Sequence, residues 1–150
     1  SRSGDYGLIA VDRHAIGVDI ERIDPNWDPM LLAAQFFSRS ETRELAASSE
    51  KERIKHFYRL WVLKEAYLKA RGVGLLRGLS HFVISAAPGE QPTLVANPTA
   101  DDAPHRWSLH EVNAPVQYVA ACATANPAGE EGVSRCSASR PQIACHHWIL

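Results

Sequence analysis

The alternation of apolar and polar positions divides the chain into a strand-rich opening, a helical middle and a strand-rich end. Residues 6–11 and 15–20 are apolar and β-prone, with the polar Asp12-Arg13-His14 between them, and this predicts a β-hairpin. Asp24-Pro25-Asn26 then breaks the extended pattern. Asp28-Pro29 predicts an N-cap followed by proline at the first helical position, opening a short helix through about residue 37. Ser38-Arg39-Ser40-Glu41 has the Ser-x-x-Glu spacing of a capping box, and Ser49-Glu50-Lys51-Glu52 repeats it. The second box starts the longest helix, predicted over about 50–71 with Gly72 placed to stop it. Beyond Gly72-Val73-Gly74, strands are predicted at 81–85, 93–96, 106–112 and 117–123, with Pro and Gly between them. Periodicity ends at Asn126. The run 127–140 is rich in Gly, Ser, Glu and Arg, which predicts a flexible tail over 126–150 after one domain at 1–125. A hairpin, then helices, then strands implies an α+β fold with helices packed on an antiparallel sheet.

Composition adds mainly exclusions. The 150 residues suffice for one domain, and 45% hydrophobic with 22% charged residues is ordinary for a globular chain. A net charge of -1 offers no field that would favour nucleic acid or anionic membrane. No run approaches the ~20 apolar residues of a membrane span, and no secretory pattern stands at the start. The three cysteines, Cys122, Cys136 and Cys145, are odd in number and lack C-x-x-C spacing, so a disulfide framework or zinc knuckle is not expected. A reducing, cytoplasmic setting is the expectation.

The sharpest local feature is Gly17-Val18-Asp19-Ile20-Glu21. On a strand, Ile16, Val18 and Ile20 would face the core, and Asp19 and Glu21 would point together to the other face. Neighbouring carboxylates repel each other and suit a cation; oxygen-only ligands favour a hard ion such as magnesium. The alternative is a half-exposed strand with a solvated polar face.

A second feature lies in the predicted long helix, at Trp61-Val62-Leu63-Lys64-Glu65-Ala66-Tyr67-Leu68-Lys69. Phe57, Trp61 and Leu68 form a stripe that should anchor it. Glu65 and Lys69 are four apart, in the favourable Glu-before-Lys order. Their alternative is an ordinary exposed ion pair. The apolar surroundings argue for partial desolvation, and Arg71-Gly72-Val73-Gly74 follows as a turn where backbone could approach a ligand.

Together these motifs resemble the 4'-phosphopantetheinyl transferases of the surfactin-synthetase-activator (Sfp) type. That family's pattern is Gly-(Val/Ile)-Asp-(Ile/Val)-Glu, then Trp-x-x-Lys-Glu-(Ala/Ser)-x-x-Lys, then Gly-x-Gly. It is met here by Gly17 to Glu21, Trp61 to Lys69 and Gly72 to Gly74. Phe36-Phe37-Ser38-Arg39-Ser40-Glu41 lies between them in the family's Phe-Phe-Ser-x-x-Glu style, and the likeness runs to about residue 125.

The resemblance implies transfer of 4'-phosphopantetheine from coenzyme A to a serine of an acyl, aryl or peptidyl carrier protein, with magnesium as cofactor and release of 3',5'-ADP. Asp19, Glu21 and Glu65 would hold the ion. Glu65 would help deprotonate the acceptor serine, directly or through a bound water, and Lys69 would neutralise charge on the departing nucleotide. Lys64 could add a phosphate contact. Where the family has Ser-His-Ser ahead of the first strands, this chain has Ser1-Arg2-Ser3, so Arg2 could take the phosphate role of the histidine. The likeness is to the C-terminal half of such enzymes, so a fragment, or a chain that self-associates to complete the cleft, is expected. A catalytically silent half-domain that binds coenzyme A or itself is the alternative. His146-His147 beside Cys145 reads as incidental, His105 and His110 as packing or surface residues, Phe36 and Phe37 as core, and Cys122 as a buried inert thiol.

Overall fold

A computed structural model describes residues 1–73, 78–87, 89–96 and 103–126, and the backbone of 142–147. Its strands are β1 (Arg2–Ser3), β2 (Tyr6–Val11), β3 (Ile16–Arg22), β4 (Val83–Ser85), β5 (Thr93–Ala96), β6 (Trp107–Val112), β7 (Tyr118–Ala125) and β8 (Gln142–His147). The helices are α1 (Met30–Phe36), α2 (Arg39–Ala47) and α3 (Glu50–Arg71), all between β3 and β4. Every strand pair is antiparallel, in sheets ordered β1-β2-β8, β3-β7-β6 and β4-β5. This is the α+β architecture expected from the order of elements.

The helix boundaries follow local chemistry. Asp28 Oδ1 accepts the Met30 amide at 2.9 Å and opens α1. At α2 the capping box is complete: Ser38 Oγ accepts the Glu41 amide while Glu41 Oε2 accepts the Ser38 amide. At α3 the second box does not form, because Ser49 Oγ bonds the Glu52 carboxylate and not the helix backbone. Gly72, at φ 67°, adopts the left-handed conformation that ends α3, and the Val73 amide closes back on Leu68 O at 3.2 Å.

Two expectations are corrected. β2 and β3 are not a hairpin: β2 pairs with β1 and β8, whereas β3 pairs with β7. The segment expected as a tail contributes β8, paired along β2 from Tyr6↔His147 to Val11↔Gln142. The rest of that segment beyond Asn126 lies outside the described residues, as do Gly74 and the side chains of Cys145, His146 and His147.

The larger core lies between α3 and the β3-β7-β6 sheet, where Phe57, Leu60, Leu63, Tyr67 and Leu68 are buried with Leu109, Ala121 and Ala123. Phe37 stacks on Phe57 with ring centroids 5.1 Å apart, and Phe36 meets Trp61 edge to face, so both are packing residues. A smaller cluster of Leu8, Ile20 and Ala120, with Tyr6 and Val18 against it, fills the other side of β3. Both faces of β3 are therefore covered. Cys122, opposite Val18, is fully buried, and burial raises its thiol pKa to about 11, as befits an unreactive core thiol.

Candidate active site

Gly17 decides how close β3 comes to α3. A Cβ built on it would run into the backbone of Ala66 and Ala70. Its cross-strand neighbour is Ala123, and that of Asp19 is Ala121. These small residues let the helix backbone settle onto the sheet. Gly17, Asp19 and Glu21 alternate onto the α3 side, so the acids face the helix and not solvent. The sequence-based expectation put the core on the Val18/Ile20 side. The main core lies instead on the acid side, and Asp19 is only 2% exposed.

From α3, Lys69 meets Asp19, with Nζ 2.5 Å from Oδ1. Lys69 therefore pairs across to the strand acid and not along its own helix to Glu65, the partner suggested by the four-residue spacing. Ser1 Oγ donates to the same Asp19 oxygen at 2.8 Å and accepts from Lys69 Nζ at 3.3 Å. Ser3 Oγ donates to Glu21 Oε2 at 2.8 Å and accepts the Arg22 amide at 3.0 Å. The second oxygen of Asp19 is buried and has no hydrogen-bond partner.

Glu65, one helical turn before Lys69, is 5% exposed. Burial first, and then the charge of Asp19, push its pKa up to about 7, with a smaller push from Glu21 and an opposing pull from Lys69. Glu21 is also raised, mainly by burial and further by Asp19, while its bond from Ser3 pulls the other way. The three carboxylates feel one another across the strand–helix seam, a repulsion that a cation between them would relieve.

Asp19, Glu21 and Glu65 thus lie on one seam, together with Lys69. Lys64 does not join them. Its side chain is 0% exposed, and Nζ donates to Leu79 O at 2.7 Å and Phe82 O at 2.8 Å while facing Glu41 Oε1 at 3.0 Å. All three ammonium donors are satisfied inside the core, so the expected phosphate contact is replaced by a clamp on the segment entering β4. Arg2 is exposed, and the alternation of β1 turns it to the side opposite Ser1 and Ser3. Ser1 and Ser3, which are not among the site residues expected from sequence, thus join the seam. Their two-residue spacing, matching that of Asp19 and Glu21, was the available signal.

The donor set fits a hard divalent cation: oxygen ligands only, and one buried carboxylate oxygen still without a partner. The other oxygen of Asp19 is engaged by Lys69 and Ser1. Among the described residues no group of three His, Cys, Asp or Glu side chains stands ready-made to hold a metal ion.

Residues 15–123, which span this seam, match the sequence pattern of the 4'-phosphopantetheinyl transferase superfamily. The chain belongs to that superfamily. Among curated superfamily members, it is 37% identical over 94 residues to a 4'-phosphopantetheinyl transferase of Bacillus pumilus, covering 63% of this chain and 40% of that protein. Against 4'-phosphopantetheinyl transferase HetI of Nostoc the figures are 36% over 126 residues, 83% and 50%. Against 4'-phosphopantetheinyl transferase Sfp of Bacillus subtilis they are 37% over 84 residues, 56% and 37%. The chain spans half or less of the length of these curated relatives. Among solved superfamily folds, the holo-[acyl-carrier-protein] synthase of Neisseria meningitidis superposes with TM-score 0.57 at 18% identity, covering 75% of this chain and 98% of that one. The synthase of Bacillus anthracis, solved in complex with coenzyme A (3',5'-ADP), gives 0.56 at 19% identity, covering 74% and 94%. At these identities the likeness establishes the fold.

Proposed function

We propose that this chain carries the site of a 4'-phosphopantetheinyl transferase that moves phosphopantetheine from coenzyme A to a carrier-protein serine. The carrying observation is the seam itself: Asp19 paired to Lys69, with the raised carboxylates of Glu21 and Glu65 beside it. The relatives' names and the coenzyme A complex of the Bacillus anthracis synthase support the choice of substrate.

In the proposed reaction the serine oxygen forms a bond to the phosphorus next to pantetheine. The bond from that phosphorus to the bridging pyrophosphate oxygen breaks, and 3',5'-ADP leaves with the electron pair. Asp19, Glu21 and Glu65 would hold magnesium, which when bound supplies charge neutralisation on the pyrophosphate. Glu65 would take the serine proton, directly or through a water. Lys69 reaches the site from the exposed end of its helix and would balance charge on the leaving phosphate. Ser1 and Ser3 orient Asp19 and Glu21. Arg2, exposed on the far side of β1, would meet a more distant phosphate of coenzyme A.

No helix among the described residues is long and apolar enough to cross a membrane. A cytoplasmic setting, and either self-association or a preceding half that completes the cleft, belong to the same proposal. The test is intact-mass spectrometry of an apo carrier protein incubated with the chain, coenzyme A and magnesium. A magnesium-dependent gain of about 340 Da, one phosphopantetheine arm, is expected. If neither this chain nor a longer one that includes a preceding half yields the gain, the catalytically silent half-domain takes its place.

A further inference from the structure

The Asp19–Lys69 pair occupies the place where a divalent cation would have to bind. Asp19 Oδ1 already accepts from Lys69 at 2.5 Å and from Ser1 at 2.8 Å, while Oδ2 has no partner. A hard divalent ion binds carboxylate oxygen at about 2.0–2.1 Å. An ammonium on the same carboxylate would then stand within about 4–5 Å of the ion, and in a water-poor seam two such positive charges repel strongly. The two cations therefore compete for one acid.

Only one member of the pair can give way. Asp19 is short, anchored in β3, and its side chain is 3% exposed. Lys69 has a flexible four-carbon stem, stands in the last turn of α3, and its side chain is 36% exposed. We propose that Lys69 is a stand-in cation: it neutralises buried Asp19 in the metal-free chain, and metal binding releases it to the substrate phosphate. This rests on the reading of Asp19, Glu21 and Glu65 as the ligand set. It adds an order of events, in which the phosphate-binding ammonium becomes available only in the loaded site. It also explains why the acids are not gathered as a ready-made metal site: their seam is held by an internal cation. The exchange spares Asp19 the state of a buried, unpaired carboxylate, which is strongly unfavourable.

The test reads the lysine directly. The metal-free chain is treated with an amine-acylating reagent, with and without Mg2+ at matched ionic strength. Labelling of Lys69 is then quantified by peptide mass spectrometry, with exposed Lys51 and Lys55 of the same helix as internal standards. Breaking a charge-assisted bond of this kind should raise Lys69 labelling roughly tenfold on Mg2+ addition, with Lys51 and Lys55 unchanged. In Asp19→Asn, Lys69 should label as freely without Mg2+ as with it. Binding is followed in parallel by the paramagnetic resonance of Mn2+, which reports site occupancy without any turnover. Lys69 labelling that stays level or falls, in a chain shown to bind Mn2+ through Asp19, would overturn the exchange and leave the proposed ligand set standing. Absence of Mn2+ binding, or Asp19→Asn binding Mn2+ as the parent does, would overturn the ligand set and the exchange together.

Discussion

Gly17 of β3 rests on the backbone of Ala66 in α3 with no room for a Cβ between them. The glycine of the Gly-Val-Asp motif therefore serves the approach of strand to helix, two residues before the acid that the approach places. Gly17→Ala should force β3 off α3. The obstacles are backbone atoms that cannot rotate away, so the expected loss is about 3 kcal/mol, at the upper end of overpacking. Urea unfolding would measure it. A stability unchanged within error would mean that the strand and helix lie farther apart than described.

Glu65 makes the metal-free chain less stable as it ionises. The unfolded chain releases this proton near the ordinary value of 4.5, whereas the folded chain keeps it to about 7. Between those values the folded state binds more protons, so stability must fall as pH rises. A loss of about 2–3 kcal/mol between pH 4.5 and 7.5 is the expected scale. Glu65→Gln should flatten this slope and raise the melting temperature at pH 7.5 in chelator-treated protein. The residual slope should come from Glu21, raised in the same direction.

The same substitution should abolish transfer. Glu65→Gln and Asp19→Asn are each expected to lower phosphopantetheinylation by on the order of 10²-fold or more, with circular dichroism unchanged. Full activity in both variants, with magnesium still required, would place the chemistry elsewhere.

Lys64 and Glu41 predict a purely structural phenotype. Glu41 joins the α2 cap, the Ile84 amide at 3.0 Å and the Lys64 ammonium at 3.0 Å, and both partners are at most 1% exposed. Burial lowers the Lys64 pKa to about 8 against the pull of Glu41. Lys64→Met strands the carboxylate and should cost roughly 3–5 kcal/mol. The double variant Glu41→Gln/Lys64→Met should recover more than half of that loss in chemical unfolding. A phosphate-binding lysine would show the opposite pattern, with weakened coenzyme A binding at unchanged stability.

Trp61 tests the anchoring of α3. Its ring stacks on Phe57 at 5.7 Å and meets Phe36 edge to face at 6.1 Å, but the side chain is only partly buried. Trp61→Ala should therefore destabilise by about 3 kcal/mol, the low end for a large aromatic. An unchanged melting temperature would contradict the packing.

Much of the candidate site was legible because its residues carry local signals. Asp19 and Glu21 share a parity, Glu65 and Lys69 share a helical face, and Gly72 ends α3 where a left-handed residue was required. Lys64 was misread because helix periodicity cannot distinguish a buried ammonium from an exposed one; Glu41, Leu79 and Phe82 arrive from distant parts of the chain. The part played by Ser1 and Ser3 is not legible in sequence, because two isolated hydroxyls become meaningful only when packing between two sheets sets them beside acids 18 residues away.

Sequence alone determined most of the elements and the chemistry they carry: the strand acids, the helix carboxylate and ammonium, the α2 cap and the glycine stop of α3. These depend on alternation, turn conformation and charge within a few residues of one another. Tertiary structure alone decided that β2 and β3 part into different sheets, and that the acid face of β3 is the buried one. It also decided that Lys69 pairs with Asp19 and not with Glu65. Those outcomes depend on which surfaces fill the space on either side of β3, and packing between distant segments leaves no local period for a sequence to display.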